Sequence, residues 1–166
     1  MVEDQIGQVR IAVLSDTHLH RVTPEFRKTM VHRLQGVGLV LHAGDWVGSE
    51  VLDFLETYPL AGVFGNMDDA IIRSRLPYKR VVEVNGFRLG LIHGSGSRFD
   101  LEKRIRQEFK EVEVIVYGHS HRPISHWDDG ILFLNPGSAM QNRGVDHNTM
   151  GFITVGQSIH AQIVRL

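Results

Sequence analysis

Short runs of apolar residues recur along the chain, and each is followed closely by glycine or by polar residues. Runs of this length that are rich in β-branched residues and end at turn residues are typical of buried strands. Five such runs matter most for function, because a side chain that can bind a metal ion follows each of them. They cover residues 9–14, 39–41, 60–64, 88–92 and 112–117.

Two helices are predicted between the first three of these strands. The first begins at Thr23, a good N-cap, with Pro24 at its first helical position and Gly36 near its end. Its inward face would carry Phe26, Met30, Val31 and Leu34, which recur at helical spacing. The second helix has Ser49 as its expected cap and ends before Pro59. Strands that alternate with helices in this way are typical of a parallel or mixed sheet covered by helices.

The second half of the chain is richer in strands than the first. Asn85-Gly86 is the strongest short signal for a hairpin turn, and it joins residues 80–84 to residues 87–92. An amphipathic helix is predicted over residues 101–109. The remaining strands are predicted over residues 124–127, 131–134, 151–155 and 158–164, with Trp127 in the sheet core. We therefore predict an α/β (α+β) fold of two packed sheets with helices outside, in a single domain over residues 1–166.

Composition and charge exclude several classes of protein. With 166 residues, 42% of them hydrophobic and 22% charged, the chain has the composition of a folded globular domain. A net charge of −1 argues against a protein whose main ligand is nucleic acid or an anionic membrane. No apolar run approaches the ~20 residues that cross a bilayer, and the polar residues 1–8 do not form a signal peptide. We therefore expect a cytoplasmic protein, as a monomer or a homo-oligomer.

The polar residues at the strand ends are of the kinds that bind metal ions, and the chain has no cysteine. Any metal would therefore be held by nitrogen and oxygen atoms. The candidate ligands are Asp16, His18, Asp45, Asn66, His93, His119 and His121. Ligands in open sheets converge beyond the carboxyl ends of the strands, so this placement predicts a two-metal site.

Taken singly, most of these clusters have an ordinary structural explanation. Asp16 and Asp45 would more often cap a turn or a helix, and a lone His93 would more often be a hydrogen-bonded core or surface group. The segment 118–121 is the most specific piece, because it places two histidines one residue apart after a strand and a glycine. As an ordered set, the five clusters are not explained by chance placement of caps and turns.

The ligand candidates form motifs in a fixed order along the chain. These motifs are Asp16-x-His18, Gly44-Asp45, Gly65-Asn66-x-Asp68, His93-Gly94, Gly118-His119-x-His121 and the later Asn135-Pro136-Gly137-Ser138. The set resembles the calcineurin-like metallophosphoesterase superfamily, and in particular its small single-domain phosphodiesterases. The resemblance implies a four-layer αββα sandwich of two mixed sheets flanked by helices, with a dinuclear metal site at the strand ends.

The resemblance also implies a ligand set for each of two divalent metal ions. One ion would be held by Asp16, His18, Asp45 and His121, and the other by Asp45, Asn66, His93 and His119. The residues expected to take part in catalysis are Asp45, Asn66, His93 and Asp68. Two cations about 3.5–4 Å apart can polarise a phosphate, activate a bridging hydroxide and stabilise both oxygens of an in-line displacement. Mixed nitrogen and oxygen ligation favours Mn, our first expectation, or Ni, Fe, Co and Zn, over Ca and Mg.

One position departs from the family pattern. Many members carry Gly-Asn-His-Glu, where the histidine helps to protonate the leaving group, but Met67 occupies that position here and cannot transfer a proton. This favours substrates with good leaving groups, as in phosphodiesterases, unless His20 or His42 serves as the donor. Asp68 matches the acidic position and is expected to orient His18 or the surrounding loop.

Three alternatives to a phosphodiesterase stay open. A non-catalytic scaffold for protein binding, as in the retromer subunit related to these phosphoesterases, would not need intact ligands. A phosphomonoesterase is disfavoured by Met67, and a nuclease is disfavoured by the lack of net positive charge. The expected substrate is therefore a small phosphate ester, and neither nucleic acid nor a membrane is an expected partner.

Overall fold

Two five-stranded sheets pack face to face in the computed structural model, which describes residues 7–140 and 147–166. The first sheet consists of β1 (Val9–Leu14), β2 (Leu39–His42), β3 (Leu60–Gly62), β9 (Thr149–Val155) and β10 (Ile159–Arg165), in the order β10-β9-β1-β2-β3. Strands β1, β2 and β3 are parallel, whereas β9 is antiparallel to both of its neighbours. This sheet is therefore mixed, and its parallel half precedes the first three groups of candidate ligands.

The second sheet is also mixed. It consists of β4 (Lys79–Val84), β5 (Phe87–Ile92), β6 (Val114–Val116), β7 (Ile124–Asp128) and β8 (Ile131–Asn135), in the order β4-β5-β6-β8-β7. Its central strands β5, β6 and β8 are parallel, and the edge strands β4 and β7 pair antiparallel to them. The predicted hairpin is confirmed, because β4 and β5 pair around Asn85 and Gly86, which both have positive φ.

The described helices cover the outer faces of the two sheets. Helices α1 (Pro24–Arg33), α2 (Ser49–Leu55) and α3 (Ala70–Arg75) pack on the first sheet, and α4 (Leu101–Arg106) packs on the second. The layers follow the order helix, sheet, sheet, helix, so the predicted αββα sandwich is confirmed. Within the described ranges, no helix is long and apolar enough to span a membrane.

Strand β1 shows why the apolar runs are nearly continuous. Ile11 and Val13 belong to the core between the sheets, whereas Ala12 and Leu14 face the helices. Successive side chains of a strand point to opposite faces, so a strand that is buried on both faces needs apolar residues throughout. At roughly 25 cal/mol per Å² of apolar surface removed from water, this burial is the main stabilising contribution to the sandwich.

The parallel strands determine where the polar residues gather. Strands β1, β2 and β3 end at one edge of the first sheet, and β5 and β6 end together in the second. The segments that follow these five strands carry all seven candidate ligands. Parallel pairing thus brings segments that are distant in the sequence to one edge of the sandwich, as expected for ligands beyond strand ends.

The two predicted helix starts have different outcomes. Helix α1 begins as predicted, because the Thr23 side chain accepts a hydrogen bond from the Phe26 N–H at 3.1 Å. The prediction for α2 is wrong, because Gly48 occupies the N-cap position and no side chain caps this helix. Ser49 is instead the first helical residue. Serine is common at both positions, and its hydroxyl alone does not distinguish them.

Two further local predictions differ from the structure, and one helix was not predicted. Val31 is 48% exposed on α1, and Trp127 is 56% exposed on the edge strand β7, although both were predicted to lie in the core. Helix α3, which is capped by Asp69, was not predicted at all. Only Ile72 is buried in its six residues, so the helix has almost no hydrophobic periodicity to identify it.

Replacing Thr23 with alanine should destabilise the protein, because the Phe26 N–H loses its acceptor at the start of α1. We expect the free energy of unfolding to fall by about 1 kcal/mol, the usual cost of losing an N-cap side chain. Ser49→Ala is the matched control, since Ser49 caps nothing, and it should change stability by less than about 0.5 kcal/mol. Urea denaturation measures the free energy of unfolding of both variants. Equal losses of stability in the two variants would contradict the assignment of the two helix starts.

Candidate metal centre

The structure brings all seven predicted ligands together at the carboxyl ends of the strands. Asp16, His18 and His121 form one group of closely spaced donor atoms, and Asp16, Asp45 and His93 form another, each within 4.8 Å. In the first group, Asp16 Oδ1 lies 3.2 Å from His121 Nε2 and 3.6 Å from His18 Nε2. These three side chains come from two segments that are about a hundred residues apart in the sequence and meet only through the fold.

Asp45 lies between the two halves of the cluster. Its Oδ2 atom is 3.5 Å from His18 Nε2 and 3.2 Å from His93 Nε2. Its other oxygen, Oδ1, accepts a hydrogen bond from the backbone N–H of Met67 at 2.8 Å. Only one oxygen of Asp45 is therefore directed at the imidazoles, and that oxygen is shared by both sides.

Asn66 completes the second half of the cluster. Its Oδ1 atom lies 3.1 Å from His93 Nε2 and 3.2 Å from His119 Nδ1. The opposite ring nitrogens are both committed to backbone carbonyls, with His93 Nδ1 at 2.7 Å from Ala43 O and His119 Nε2 at 2.7 Å from Gly96 O. A carbonyl oxygen only accepts, so each of these ring nitrogens carries a proton.

In the neutral imidazoles, His93 Nε2 and His119 Nδ1 then hold lone pairs that face the Asn66 oxygen with no proton between them. Such an arrangement is expected for metal ligands, whose second ring nitrogen typically donates to a carbonyl or a carboxylate. Among the described residues, the buried side-chain polar atoms without a hydrogen-bond partner are Asp16 Oδ1 and His18 Nε2. Unpaired buried polar atoms are costly, and a cation between them would satisfy both. The residues present therefore fit divalent metal ions.

The electrostatics of the cluster also favour bound cations. Burial alone would raise the pKa of Asp16, but the imidazoles of His121 and His18 lower it well below its usual range. Burial acts in the same direction on Asp45, and His93 again outweighs it, so the pKa of Asp45 is also lowered. Burial would lower the pKa of His93, but its interactions with Asp45 and Asp16 raise it. Two ionised carboxylates therefore persist in a buried site, where positive charge is needed to balance them.

The backbone is in an unusual conformation at most of the ligands. Positive φ angles occur at Asp16 (52°), His18 (47°), Asp45 (56°), His119 (68°) and His121 (58°). Residues other than glycine adopt this left-handed region rarely and at a cost of order 1–3 kcal/mol each. Strain of this kind persists where the surrounding structure enforces it, and it is concentrated at functional sites. It turns the chain out of the sheet after β1, β2 and β6.

Two glycines permit the close approach of the ligand loops. A Cβ atom at Gly65 would lie 2.1 Å from Asp45 Oδ1, and one at Gly118 would lie 2.0 Å from Ser15 Oγ and 2.7 Å from Asp16 Oδ2. No side chain fits at these distances. The glycines that precede Asn66 and His119 in the motifs are therefore required by the packing of the two carboxylates.

Asp68 organises the loops and does not point into the ligand cluster. Its Oδ2 atom accepts hydrogen bonds from the backbone N–H groups of Gly65 (2.7 Å) and Asp45 (3.1 Å), and its Oδ1 atom accepts one from Val47 (2.8 Å). Burial raises the pKa of Asp68, while these donors act in the opposite direction. The geometry makes Asp68 a positioning residue for the loop, one of the two roles expected for it; it does not hydrogen bond to His18.

Arg73 is a functional residue that the sequence did not reveal. Its guanidinium donates to three backbone carbonyls of the ligand loop, with Nε at 2.8 Å from Asp68 O and Nη2 at 3.1 Å from Asn66 O and 3.2 Å from Gly65 O. It also lies over the Phe64 ring, 4.8 Å from its centroid. In the sequence Arg73 belongs to a basic stretch that resembles a solvated surface, and only its position in α3 distinguishes it.

The two histidines considered as proton donors occupy different environments. His42 is fully buried, stacks on Trp46 with 3.5 Å between ring centroids, and accepts the Gly44 N–H at Nδ1 over 3.1 Å. Burial lowers the pKa of His42 to about 3, so it is neutral and packed, and it does not serve as an acid near neutral pH. His20 is exposed.

Comparison with known proteins identifies the family. The profile of the calcineurin-like phosphoesterase superfamily domain matches residues 9–158. The chain therefore belongs to this superfamily, as the order of its motifs predicts. A probable metallophosphoesterase from Methanothermobacter thermautotrophicus is 34% identical over 158 residues, which cover 93% of this chain and 91% of that protein. Membership defines the chain as a metal-dependent phosphoesterase.

Two further proteins show the range of the similarity. A phosphodiesterase from Methanocaldococcus jannaschii is 27% identical over 143 residues, covering 78% of this chain and 83% of that protein. The crystal structure of Vps29 from Entamoeba histolytica, complexed with Zn²⁺, superposes with a TM-score of 0.70 and 24% identity, over 95% of this chain and 99% of that one. The second similarity shows the fold alone.

Replacing Arg73 with glutamine should loosen the loop that carries Asn66, because three backbone carbonyls lose a charged donor. We expect the free energy of unfolding to fall by about 1–3 kcal/mol, and metal affinity to fall with it. Arg75→Gln is the matched control two residues away. Among the described residues, the Arg75 side chain bonds only to the exposed Asp53 and Glu56, and its loss should cost less than about 1 kcal/mol.

Calorimetric titration with Mn²⁺ and chemical denaturation of both variants provide the comparison. If Arg73→Gln binds Mn²⁺ as tightly as the wild-type protein and as Arg75→Gln does, Arg73 does not support the ligand loop.

Proposed function

We propose that this protein is a metal-dependent phosphodiesterase that acts on small phosphate esters through two divalent metal ions. The observation that carries the proposal is the position of Asp45 Oδ2, at 3.5 Å from His18 Nε2 and 3.2 Å from His93 Nε2. One carboxylate oxygen between two sets of imidazoles suits a ligand shared by two cations. The rest of the proposal follows from the side chains around it.

The two ligand sets are those that the motifs predict. Asp16, His18, Asp45 and His121 would hold one ion, and Asp45, Asn66, His93 and His119 would hold the other. The Oδ1 atom of Asp45 accepts the Met67 N–H, so Oδ2 is the oxygen that remains free to hold cations. Bound divalent cations supply Lewis-acid chemistry, since they polarise a phosphate and lower the pKa of an attacking water.

The chain itself fixes the orientation of the ligands. The Ala43 carbonyl holds the proton of His93 on Nδ1, and the Gly96 carbonyl holds the proton of His119 on Nε2. In its neutral form each imidazole therefore presents a lone pair, and neither ring needs to rotate when a cation binds. Such preorganisation is the usual source of electrostatic stabilisation in enzyme active sites.

The preference for diesters rests on Met67. Its side chain is 57% exposed, next to Asn66, and its thioether cannot donate a proton. Together with the neutral, buried His42, this leaves the proposed centre without a protein acid at the expected position. Substrates whose leaving groups depart without protonation should therefore react best. The similarity to a protein named phosphodiesterase supports the same choice.

Several details of the proposal rest on composition. Nitrogen and oxygen ligands suit Mn first, with Ni, Fe, Co or Zn as alternatives. A net charge of −1 gives no general attraction for polyanions, so a small ester is preferred to nucleic acid. We further propose one domain over residues 1–166, a cytoplasmic location, and a monomer or homo-oligomer.

A non-catalytic scaffold is the second candidate function, because the fold is shared with Vps29. A protein that acts only by binding partners has no need for seven converging ligand side chains or for strained backbone at five of them. The presence of both features favours catalysis over this alternative, and a direct assay separates the two.

The purified protein should hydrolyse bis(p-nitrophenyl) phosphate when loaded with Mn²⁺, and it should hydrolyse p-nitrophenyl phosphate at least ~10-fold more slowly. Removal of metal with a chelator should abolish turnover and lower the melting temperature, because bound cations stabilise the folded state. Assays with Ni²⁺, Co²⁺, Zn²⁺ and Mg²⁺, together with elemental analysis per chain, identify the metal preference.

Asp45→Asn and His119→Ala serve as control variants against contaminating hydrolases, and each should lose most of the activity. No metal-dependent turnover of either ester, together with no bound metal, would exclude the enzyme and leave the scaffold. A strong preference for the monoester would show that the inference from Met67 is wrong.

Met67→His should restore a proton donor beside Asn66. General acid catalysis contributes about 10²–10⁴-fold where a leaving group needs protonation, so hydrolysis of a phenyl diester should rise at least ~10-fold. The corresponding p-nitrophenyl diester, which has a better leaving group, should change by less than about twofold. Ile71→His places a histidine at another exposed apolar position nearby and should leave both rates unchanged. Equal effects of the two variants would show that position 67 has no special relation to the leaving group.

A further inference from the structure

A cavity of about 630 Å³ lies beside the ligand cluster and takes no part in the proposed hydrolysis. None of the seven candidate ligands lines it, but Ser120, which separates His119 from His121, does. Cavities of about 300–1,000 Å³ are large enough to enclose a small-molecule ligand. The cavity is therefore placed and sized to receive the part of a substrate that extends away from the metal centre.

The walls of the cavity are attached to the second half of the cluster. One wall belongs to the loop between β5 and α4, whose Gly96 carbonyl accepts a hydrogen bond from His119 Nε2 at 2.7 Å. Arg104 holds this loop by donating to Ser95 O at 3.1 Å and to Phe99 O at 2.7 Å. Another wall begins one residue after His121. A ligand bound in the cavity would therefore be adjacent to the metal site and held by segments fixed to it.

The cavity carries unbalanced positive charge. Arg98, Lys103 and Arg122 line it with exposed side chains, and none of the three forms a side-chain hydrogen bond or ion pair with another described residue. The acidic lining residue Asp100 is likewise exposed, and its side chain forms no hydrogen bond or ion pair with another described residue. Four basic side chains (Arg98, Lys103, Arg106 and Arg122) and three acidic ones (Asp100, Glu102 and Asp128) line the cavity, which gives a local charge of +1, whereas the whole chain has a net charge of −1. The positive charge is therefore local to this cavity.

The other acidic groups of the cavity already have hydrogen-bond or ion-pair partners within the protein. Glu102 accepts hydrogen bonds from the Tyr117 hydroxyl and from His126 Nε2, the latter at 2.8 Å. Asp128 pairs with Arg106 at 2.8 Å. These contacts engage the carboxylates within the protein and hold the wall in place.

We propose that Arg98 and Arg122 bind a second anionic group, of the phosphate type, on the non-reacting arm of the diester. This inference rests on the proposed phosphodiesterase function and defines its substrate class as a phosphodiester that carries a further phosphate. Guanidinium groups bind phosphate oxygens through paired, charge-assisted hydrogen bonds. Arg98 belongs to the loop that is hydrogen bonded to His119, and Arg122 directly follows His121. Among the unpaired cations of the cavity, we therefore assign these two arginines to phosphate binding.

The test compares two esters that differ only in the second phosphate. They are the p-nitrophenyl ester of thymidine 5′-phosphate and the same compound phosphorylated at the 3′-hydroxyl. For the Mn²⁺-loaded wild-type protein, the 3′-phosphorylated ester should have a kcat/KM at least ~10-fold higher, mainly through KM, because hydrogen bonds to charged groups are strong. The ratio should fall with rising salt concentration, since exposed charges are screened.

The double variant Arg98→Gln/Arg122→Gln should bring this ratio to about one, with each single substitution intermediate. Lys28→Gln, on α1 against the other sheet, removes one exposed positive charge elsewhere and should leave the ratio unchanged. Calorimetric titration with thymidine 3′,5′-bisphosphate and thymidine 5′-monophosphate gives a second readout that does not depend on turnover. The bisphosphate should bind the wild-type protein more tightly, and the double variant should not distinguish the two.

The outcomes separate this inference from the proposed function. Turnover of both esters with equal kcat/KM overturns the second-phosphate site and leaves the phosphodiesterase standing. Turnover of neither ester, with tighter binding of the bisphosphate that depends on Arg98 and Arg122, overturns the activity but supports the site. Turnover of neither and equal binding of the two nucleotides overturns both.

Discussion

The buried negative charge of Asp16 and Asp45 is the constraint around which the rest of the site is built. Each carboxylate gives one oxygen to protein donors, with Asp16 Oδ2 accepting from Ser15 Oγ and from the His119 N–H, and Asp45 Oδ1 accepting from the Met67 N–H. The second oxygen of each is left to face imidazoles. Ionised groups removed from water are stable only when positive charge and hydrogen bonds replace the lost hydration. The histidines supply part of that compensation, and divalent cations would supply the remainder.

This constraint explains why the ligand loops are strained and why they nevertheless hold their shape. Parallel strands bring five chain segments to one edge, but a chain that continued straight would carry its side chains past one another. Left-handed conformations turn the ligands back toward a common point. The loops are locked to each other by backbone hydrogen bonds, such as Asp16 N–H to Gly44 O at 3.0 Å and His18 N–H to Asp45 O at 3.1 Å. Two packed sheets provide the rigid support that such strain requires.

The sequence predicted those features that depend on local pattern. Apolar runs identified the strands because both faces of the inner strands are buried, and residue type and order predicted the candidate ligands that the fold brings together. Features that depend on tertiary contacts were missed. Arg73 resembles a surface residue until α3 directs it at three carbonyls, and Trp127 lies at a sheet edge that alternation alone does not distinguish from the interior. The left-handed turns at the ligand positions were likewise not predicted. Aspartate and histidine are enriched in this region, but only a small fraction of them adopt it, so residue type alone does not locate such a turn.

The division between ligands and their neighbours suggests how such a site acquires specificity. Charge, backbone strain and glycine packing all constrain the positions of the candidate ligands. The residues immediately beside them are not constrained in this way. Met67 follows Asn66 and is exposed, Arg122 follows His121 and is exposed, and Arg98 lies in the loop that holds His119. Side chains at these positions can change without disturbing the buried carboxylates, and they border the space that a substrate must enter. In the proposed function, metal chemistry would depend on the tightly constrained residues, and substrate choice would depend on the less constrained residues beside them.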